Sequence, residues 1–251
     1  MPPESQVIVV LPAYNEEPNL GSLLEKIGRT LRQANLDFRV IVVDDGSTDG
    51  TAQLLRRLAD SLPLTSLRHS PNQGLGQTIA DGLRAATESA GARDVVVTMD
   101  ADGSHTPDLM LSMLAELQRG KDVVIASRFC PGARVYGLSR LRTLTGWAAS
   151  LLARTLFPTD GLRDYTCGYR AYSVRSLRLA YDKYGDGFVN QRGFQCMLDI
   201  LLKMRQLRLD FGEVPLVLRY DLKKGSSKMR TAATIRDTLG LLLRRRIGDY
   251  K

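Results

Sequence analysis

Residues 95–98 read Val-Val-Val-Thr, and after Met99 the chain sets down two carboxylates, Asp100 and Asp102, with Ala101 between them. A β-branched run with no polar alternation is a strand covered on both faces, which places it in an α/β sheet flanked by helices. In open sheets of that kind ligands bind beyond the carboxyl ends of the strands. Residues two apart in an extended segment point the same way, so Asp100 and Asp102 can face one hard cation that also takes phosphate oxygens. Alone, an Asp-x-Asp can equally cap the following turn, so the other strand ends decide how it is read.

Three further runs have the same character. Residues 7–11 end on Pro12-Ala13-Tyr14-Asn15-Glu16, residues 38–43 on Asp44-Asp45-Gly46-Ser47-Thr48-Asp49, and residues 123–127 on Arg128. Leu20, Leu23, Leu24, Ile27 and Leu31 recur at helical spacing after the first. Residues 51–58 form a helix capped from the second loop, and a weaker strand at 64–68 leads through Asn72-Gln73-Gly74-Leu75-Gly76 into another helix. This alternation predicts a mostly parallel sheet with right-handed crossovers, its polar strand ends gathered in one crevice. Past about residue 160 the alternation weakens into a polar motif, a helix near 194–205, a strand near 214–219 and a basic tail, a stretch expected to complete the site. With 251 residues and no repeat or linker, the expected organisation is one domain over residues 1–230 and a basic amphipathic helix at 231–251 facing a membrane.

The net charge of +8 sits at one end: residues 1–199 hold 22 Lys+Arg against 22 Asp+Glu, and residues 200–251 hold 13 against 5. An anionic partner is expected there, although a solvated basic tail meets the same count. Apart from Tyr220 and Tyr250 no aromatic residue is interleaved with the bases of the tail that follows the 214–219 strand, which argues against nucleic acid. Cys130, Cys167 and Cys196 lack metal or redox spacing and point to a reducing compartment. His69 and His105 have no ligand partner at metal spacing and read as structural or solvated. No leader-like stretch opens the chain, and no window reaches the roughly 18 to 20 apolar residues of a bilayer span. The expected location is cytoplasmic, peripheral at the cytoplasmic face of a membrane.

The Pro12 to Glu16, Asp44 to Asp49 and Asp100 to Asp102 motifs, in that order, resemble those of the inverting family 2 glycosyltransferases with a GT-A fold. Asn72-Gln73-Gly74-Leu75-Gly76, Ser127-Arg128-Phe129, Asp164-Tyr165-Thr166-Cys167-Gly168-Tyr169-Arg170 and Gly225-Ser226-Ser227-Lys228 extend the likeness to the polyprenyl-phosphate sugar transferases, typified by dolichyl-phosphate mannose synthase. The resemblance spans roughly residues 6–230. It implies a GT-A type, Rossmann-like mixed sheet, mostly parallel and flanked by helices. It also implies transfer of a sugar from a nucleotide sugar to a polyprenyl or dolichyl phosphate. Mannose from GDP-mannose is the first expectation, and UDP-glucose or a UDP-N-acetylhexosamine the alternative.

Carried onto this sequence, the resemblance implies that Pro12, Tyr14, Glu16, Asp44, Asp45, Gln73, Asp100, Ala101 and Asp102 hold the nucleotide sugar. Asp100 and Asp102 would bind Mg²⁺ or Mn²⁺ on its diphosphate, and Arg128, Arg142, Arg170 and Lys228 would meet the acceptor phosphate. Asp102, Arg128, Arg142 and Asp164 are the catalytic candidates. A lipid phosphate is already ionised near neutral pH and needs screening rather than a general base, a task suited to arginine forks. Transfer to a saccharide hydroxyl would need a base, for which Asp164 is the candidate.

Two positions depart from the family pattern. Leu222 stands where relatives carry an arginine, leaving Arg219, Lys223 or Lys224 to supply its charge. Ser104 stands where many relatives offer Gln as a third metal ligand, a place water could take. The motifs fix neither the donor base nor an oligomeric state. Leu144, Trp147, Ala148, Leu151, Leu152, Thr155 and Leu156, with Arg140, Arg142 and Arg154 around them, fit an in-plane membrane helix and equally a buried core helix. Leu239, Leu241, Leu242 and Leu243 before Arg244-Arg245-Arg246 read as a second basic amphipathic helix.

Overall fold

The unalternating runs pair as expected and form the centre of the molecule. The computed structural model describes residues 5–225 and 231–250, the side chains at 141, 142 and 231 excepted. The chain begins β1 (Gln6–Ala13), α1 (Glu17–Gln33), β2 (Asp37–Asp44), α2 (Thr51–Leu58), β3 (Leu64–Arg68), α3 (Leu75–Ser89), β4 (Val95–Thr98), α4 (Leu109–Gln118) and β5 (Val123–Ser127). It continues β6 (Arg134–Tyr136), α5 (Arg140–Leu156), β7 (Arg170–Ser173), α6 (Val174–Tyr184), α7 (Cys196–Arg205), β8 (Phe211–Pro215), β9 (Val217–Arg219) and α8 (Thr231–Arg246). The main sheet runs β3-β2-β1-β4-β7-β5-β8. Only β7 is antiparallel to its neighbours. Val7, Val9, Val40, Val42, Val96, Val97 and Val124 are buried, which is why these strands show no alternation.

The strand order places the site. From β1 the chain steps outward through β2 to β3, then returns so that β4 lies on the other side of β1, Val10 opposite Thr98. The loops after β1 and β4 therefore leave side by side at the point where the order reverses, the usual ligand crevice of such sheets. The four-residue strand β7, too short to show a period, inserts between β4 and β5 and carries the 164–170 motif to the same end. The strand expected at 214–219 is two strands. β8 follows β5 in the main sheet, and β9 pairs with β6 in a small parallel sheet. Pro215, with no amide proton to extend a ladder, marks the turn between them.

Helix α8 packs against α5. Leu241 and Leu242 are buried, and the buried Arg245 forks onto Asp199, Nε to Oδ1 at 2.6 Å and Nη2 to Oδ2 at 2.9 Å. Lys203 Nζ stands 3.0 Å from the same carboxylate, and burial draws its pKa below the ordinary lysine value. Among the described residues no helix is long and apolar enough to cross a membrane.

Glycines of the 72–76 motif answer to packing. Gly74 has φ +91°, and the Gly76 amide donates to the Arg192 carbonyl at 2.9 Å, so close that a Cβ there would lie 1.6 Å from the Gln191 carbonyl oxygen. Alanine normally favours a helix over glycine by about 1 kcal/mol. Gly76→Ala is nevertheless expected to lower stability by about 1–3 kcal/mol through overpacking, measured as the shift of the urea midpoint; a stabilised variant would refute the close approach.

Candidate active site

The loops after β1 and β2 are locked together by hydrogen bonds between them. Asn15 takes φ +52°, a conformation asparagine tolerates. Its amide donates to Ser47 Oγ at 2.8 Å and its Oδ1 accepts the Thr48 amide at 2.8 Å. The Glu16 amide donates to Thr51 Oγ1 at 3.0 Å, and Glu17 Oε2 accepts the Gly50 amide at 2.8 Å. The third loop hangs from Asp45, whose carboxylate accepts the Gln73 and Gly74 amides at 2.8 and 2.9 Å. Buried His69 stands between Asp45, 2.7 Å from Nδ1, and Asp81, 2.9 Å from Nε2, which bears out its structural reading.

These loops form one end of a crevice of about 770 Å³ lined by Pro12, Tyr14, Glu16, Asp45, Asp100, Ala101 and Asp102. Two residues expected there are elsewhere. Asp44 is buried behind its loop, Oδ1 accepting the Ser47 amide at 2.9 Å and Oδ2 lying 3.5 Å from Arg68 Nε. Gln73 reaches the site only through its backbone amide on Asp45, its side chain being exposed. Neither lines the crevice.

At the end of β4 the Asp100 amide donates to Nδ1 of His105, whose ring stacks on Tyr169 with centroids 4.9 Å apart. Burial raises the Asp100 carboxyl above its ordinary pKa, and Asp102 adds to that. Burial works the same way on Asp102, but Lys223 and Ser104 overcome it and hold that carboxyl below its ordinary value. Asp102 Oδ1 accepts the Ser104 hydroxyl at 2.6 Å and amide at 3.0 Å, and Oδ2 lies 2.7 Å from Lys223 Nζ. Ser104 is thus spent on Asp102. Among the described residues no group of three His, Cys, Asp or Glu could enclose a metal. What the site offers a cation is two hard oxygen donors, and a cation, the lysine ammonium, already sits on one of them; this fits Mg²⁺ or Mn²⁺ whose remaining ligands come from phosphate and water.

The tail candidates separate. Lys223 lines the crevice, Arg219 pairs with its neighbour Asp221 at 2.8 Å, and exposed Lys224 is held through its backbone by Asn19. Sequence pattern gives no signal for Asn19, because a helix-start asparagine is expected to serve its own helix. Lys228 and the Arg142 side chain lie outside the described residues.

On the β5 side Arg128 lines the crevice. Its Nε and Nη2 donate to Asp164 at 2.8 and 2.7 Å, and its backbone amide to the same carboxylate at 3.1 Å. Nη1 is left facing α5, 3.1 Å from where a Cβ on Gly146 would stand. Asp164, expected as a candidate base, is fully buried and also accepts the Thr166 and Cys167 amides. Burial opposes its charge, and Arg128 more than reverses this, holding the carboxyl below its ordinary pKa. Its carboxylate is taken up by Arg128 and these amides, which braces the guanidinium. Arg170, expected at the acceptor phosphate, is fully buried, and its guanidinium is bound by the carbonyls of Tyr165, Cys167 and Met197, an arrangement that braces the 164–170 loop. Burial, with Asp164 adding, pushes the Cys167 thiol up to about 12, so this residue serves by its small size.

The family model for glycosyl transferase family 2 matches residues 8–179. The chain belongs to that family. It is a glycosyltransferase, and the sheet is the GT-A type, mixed and mostly parallel, that the motifs imply. An undecaprenyl-phosphate mannosyltransferase of Micrococcus luteus is 36% identical over 89% of this chain and 87% of its own. A polyprenol monophosphomannose synthase of Mycolicibacterium smegmatis is 30% identical over 94% and 85%. A dolichol-phosphate mannosyltransferase of Pyrococcus furiosus is 28% identical over 90% of this chain and 59% of its own. In fold, the chain is similar to glucosyl-3-phosphoglycerate synthase from Mycobacterium tuberculosis in complex with Mn²⁺, UDP and product. The TM-score is 0.68 at 24% identity, covering 98% of this chain and 81% of that one.

For this family 2 enzyme the Arg128–Asp164 pair yields a test. Removing one partner of a buried pair costs about 3–5 kcal/mol, so Asp164→Asn is expected to lower unfolding stability by that order and to release Arg128. Asp164 has a depressed folded pKa, so its stabilisation is complete above the ordinary carboxylate value of 3.8 and is lost as pH falls through the folded value. The destabilisation of Asp164→Asn should therefore be constant from pH 7 to pH 5 and shrink only in stronger acid, as denaturant melts across that range would report.

Proposed function

We propose that the chain transfers a hexosyl group, mannose from GDP-mannose in the first instance, to the phosphate of a polyprenol with inversion at the anomeric carbon. The observation that carries this reading is the division of the crevice walls. Every carboxylate lining it, Glu16, Asp45, Asp100 and Asp102, stands at the loops after β1, β2 and β4, and none is among the described lining residues from Arg128 onward. That second half offers Arg128 and an apolar wall from α5 and α8, including Ala148, Leu152, Leu239 and Leu242. A hydroxyl acceptor would need a base there, and the one candidate, Asp164, is buried behind Arg128. An ionised phosphate needs only a cation to receive it and an apolar path for its chain. The names of the three mannosyltransferase relatives point to the same acceptor class.

Each residue then has a stated task. The interlocked loops around Asn15 and Asp45 hold the nucleotide end. Arg128, oriented by Asp164, draws the acceptor phosphate toward the sugar and offsets the repulsion between two phosphate groups. Mg²⁺ or Mn²⁺ held by Asp100 and Asp102 would neutralise charge on the departing nucleoside diphosphate.

Association with a membrane surface belongs to the same proposal. Leu144 is 60% exposed and Trp147 49% on α5; Leu243 is 67% exposed on α8. Exposed Arg140, Arg154, Arg244 and Arg246 flank them. Apolar side chains beside bases on the helices that form the apolar end of the crevice suit a sheet of anionic lipid at the cytoplasmic face.

Incubating the purified protein with polyprenyl phosphate, Mn²⁺ and each of several labelled nucleotide sugars tests the reaction. Labelled lipid is expected with GDP-mannose, and Asp102→Ala should reduce its rate by about 10²-fold or more. If no donor labels the lipid, the acceptor assignment fails. In a separate flotation assay, Trp147→Glu with Leu243→Glu should remove the protein from anionic vesicles while far-UV circular dichroism stays unchanged; full retention on the vesicles would count against the surface.

A further inference from the structure

Lys223 reaches the crevice because the backbone beside it is tied down. Asn19, on the first turn of α1 and 5% exposed, binds the Lys224 backbone at both ends: Oδ1 accepts its amide at 3.0 Å and Nδ2 donates to its carbonyl at 3.0 Å. The same Nδ2 donates to Glu16 Oε2 at 2.8 Å, which fixes the direction of the amide. One side chain thus does for the tail what a neighbouring strand would do, and it joins that tail to the donor-side loop. The residue before the clamp is delivered onto Asp102, Nζ to Oδ2 at 2.7 Å, with the two side chains 11% and 9% exposed. The ammonium also lies 5.4 Å from the Tyr220 ring centroid. Ser104 holds the other oxygen of Asp102.

We propose that Lys223 is the resident cation of the Asp102 site, that a divalent metal and the Lys223 ammonium compete for the same carboxylate oxygen, and that Asn19 sets the terms of the competition through its clamp on Lys224. The inference rests on the reading of Asp100 and Asp102 as the metal carboxylates. Mg²⁺ and Mn²⁺ bind carboxylate oxygen at about 2.0–2.2 Å, and a divalent ion and an ammonium crowded onto one oxygen repel each other, so binding the metal weakens the lysine contact. Two neighbouring carboxylates repel each other, and the lysine ammonium offsets part of that repulsion. Its consequence is that bare metal is held weakly. Metal bound to a diphosphate brings further ligands of its own and can displace the lysine, so entry is favoured as the metal–nucleotide-sugar complex.

The test is Mn²⁺ binding to the full chain without nucleotide, read from the free-ion signal in electron paramagnetic resonance. Lys223→Met is expected to tighten Mn²⁺ binding by about tenfold or more, since it frees one carboxylate oxygen and removes a positive charge. Lys223→Arg, which keeps the charge, should bind no tighter than the wild type. Asn19→Ala, which touches no metal carboxylate, should fall between wild type and Lys223→Met, and it carries the test should Lys223→Met fail to fold. If Lys223→Met and Asn19→Ala bind Mn²⁺ with the wild-type Kd while Asp102→Asn abolishes binding, the competition is wrong and the metal site stands. If no form binds Mn²⁺ even with a nucleoside diphosphate added, the metal site itself falls, and the competition with it.

Discussion

Two carboxylates at the end of a buried strand resist each other and resist leaving water, and the surroundings of Asp100 and Asp102 are arranged to relieve both. β4 brings them to the sheet edge because its apolar residues must be covered, so the carboxylates inherit a dry floor. The remedy is uneven. Asp102 receives an ammonium, a hydroxyl and an amide, and titrates low; Asp100 receives less and titrates high. A site in which one acid is satisfied and its neighbour is not holds a net demand for positive charge. Under the proposed function, a cation bound at this end of the sheet would complete the fold's own electrostatics.

The other half of the crevice solves the inverse problem. Arg128 is a cation at the end of buried β5, and its compensation comes from behind, through fully buried Asp164. That carboxylate is in turn held by the Thr166 and Cys167 amides, while Glu213 on β8 accepts the Arg163 and Asp164 amides at 2.6 Å each. A buried pair of this kind contributes little net stability against an apolar replacement, but it fixes direction. Two of the five donors in the guanidinium fork are fixed on the anchoring carboxylate, which aims the remaining edge. The sheet supplies the register for this, since β7 lies between β4 and β5 and brings the 164–170 loop to Arg128.

Much of the architecture was legible because burial on both faces leaves an unmistakable mark: β1, β2, β4 and β5 are apolar runs, and each ends on polar residues that line or brace the crevice. What the pattern could not carry was anything set by distant contacts. β7 is four residues long and antiparallel, so neither length nor period announces it. Arg170 and Asp164 lie in a motif rich in chemistry, yet the fold turns both inward, and only the three carbonyls around Arg170 reveal that its charge is consumed. Asn19 lies 205 residues from the backbone it clamps. Among Arg219, Lys223 and Lys224 the sequence offers three equivalent charges, and the choice of Lys223 depends on that clamp.

The division between the halves bears directly on the acceptor. A glycosyl acceptor with a hydroxyl nucleophile must lose its proton to something, and that something must touch it. Along the Arg128 side the described lining holds Arg128, Gln195, Tyr220 and Lys223 among small and apolar side chains but no carboxylate, and buried Asp164 is taken up by Arg128 and two backbone amides. No carboxylate lines that side to receive a proton. An acceptor that arrives already charged needs the opposite provision, a fixed cation and a wall without competing anions, and the same wall suits an apolar chain trailing from the phosphate. On the proposed function, donor and acceptor ends would be distinguished by the sign of the charge each lacks, carboxylates that would take a cation on one side and a braced arginine that would take an anion on the other.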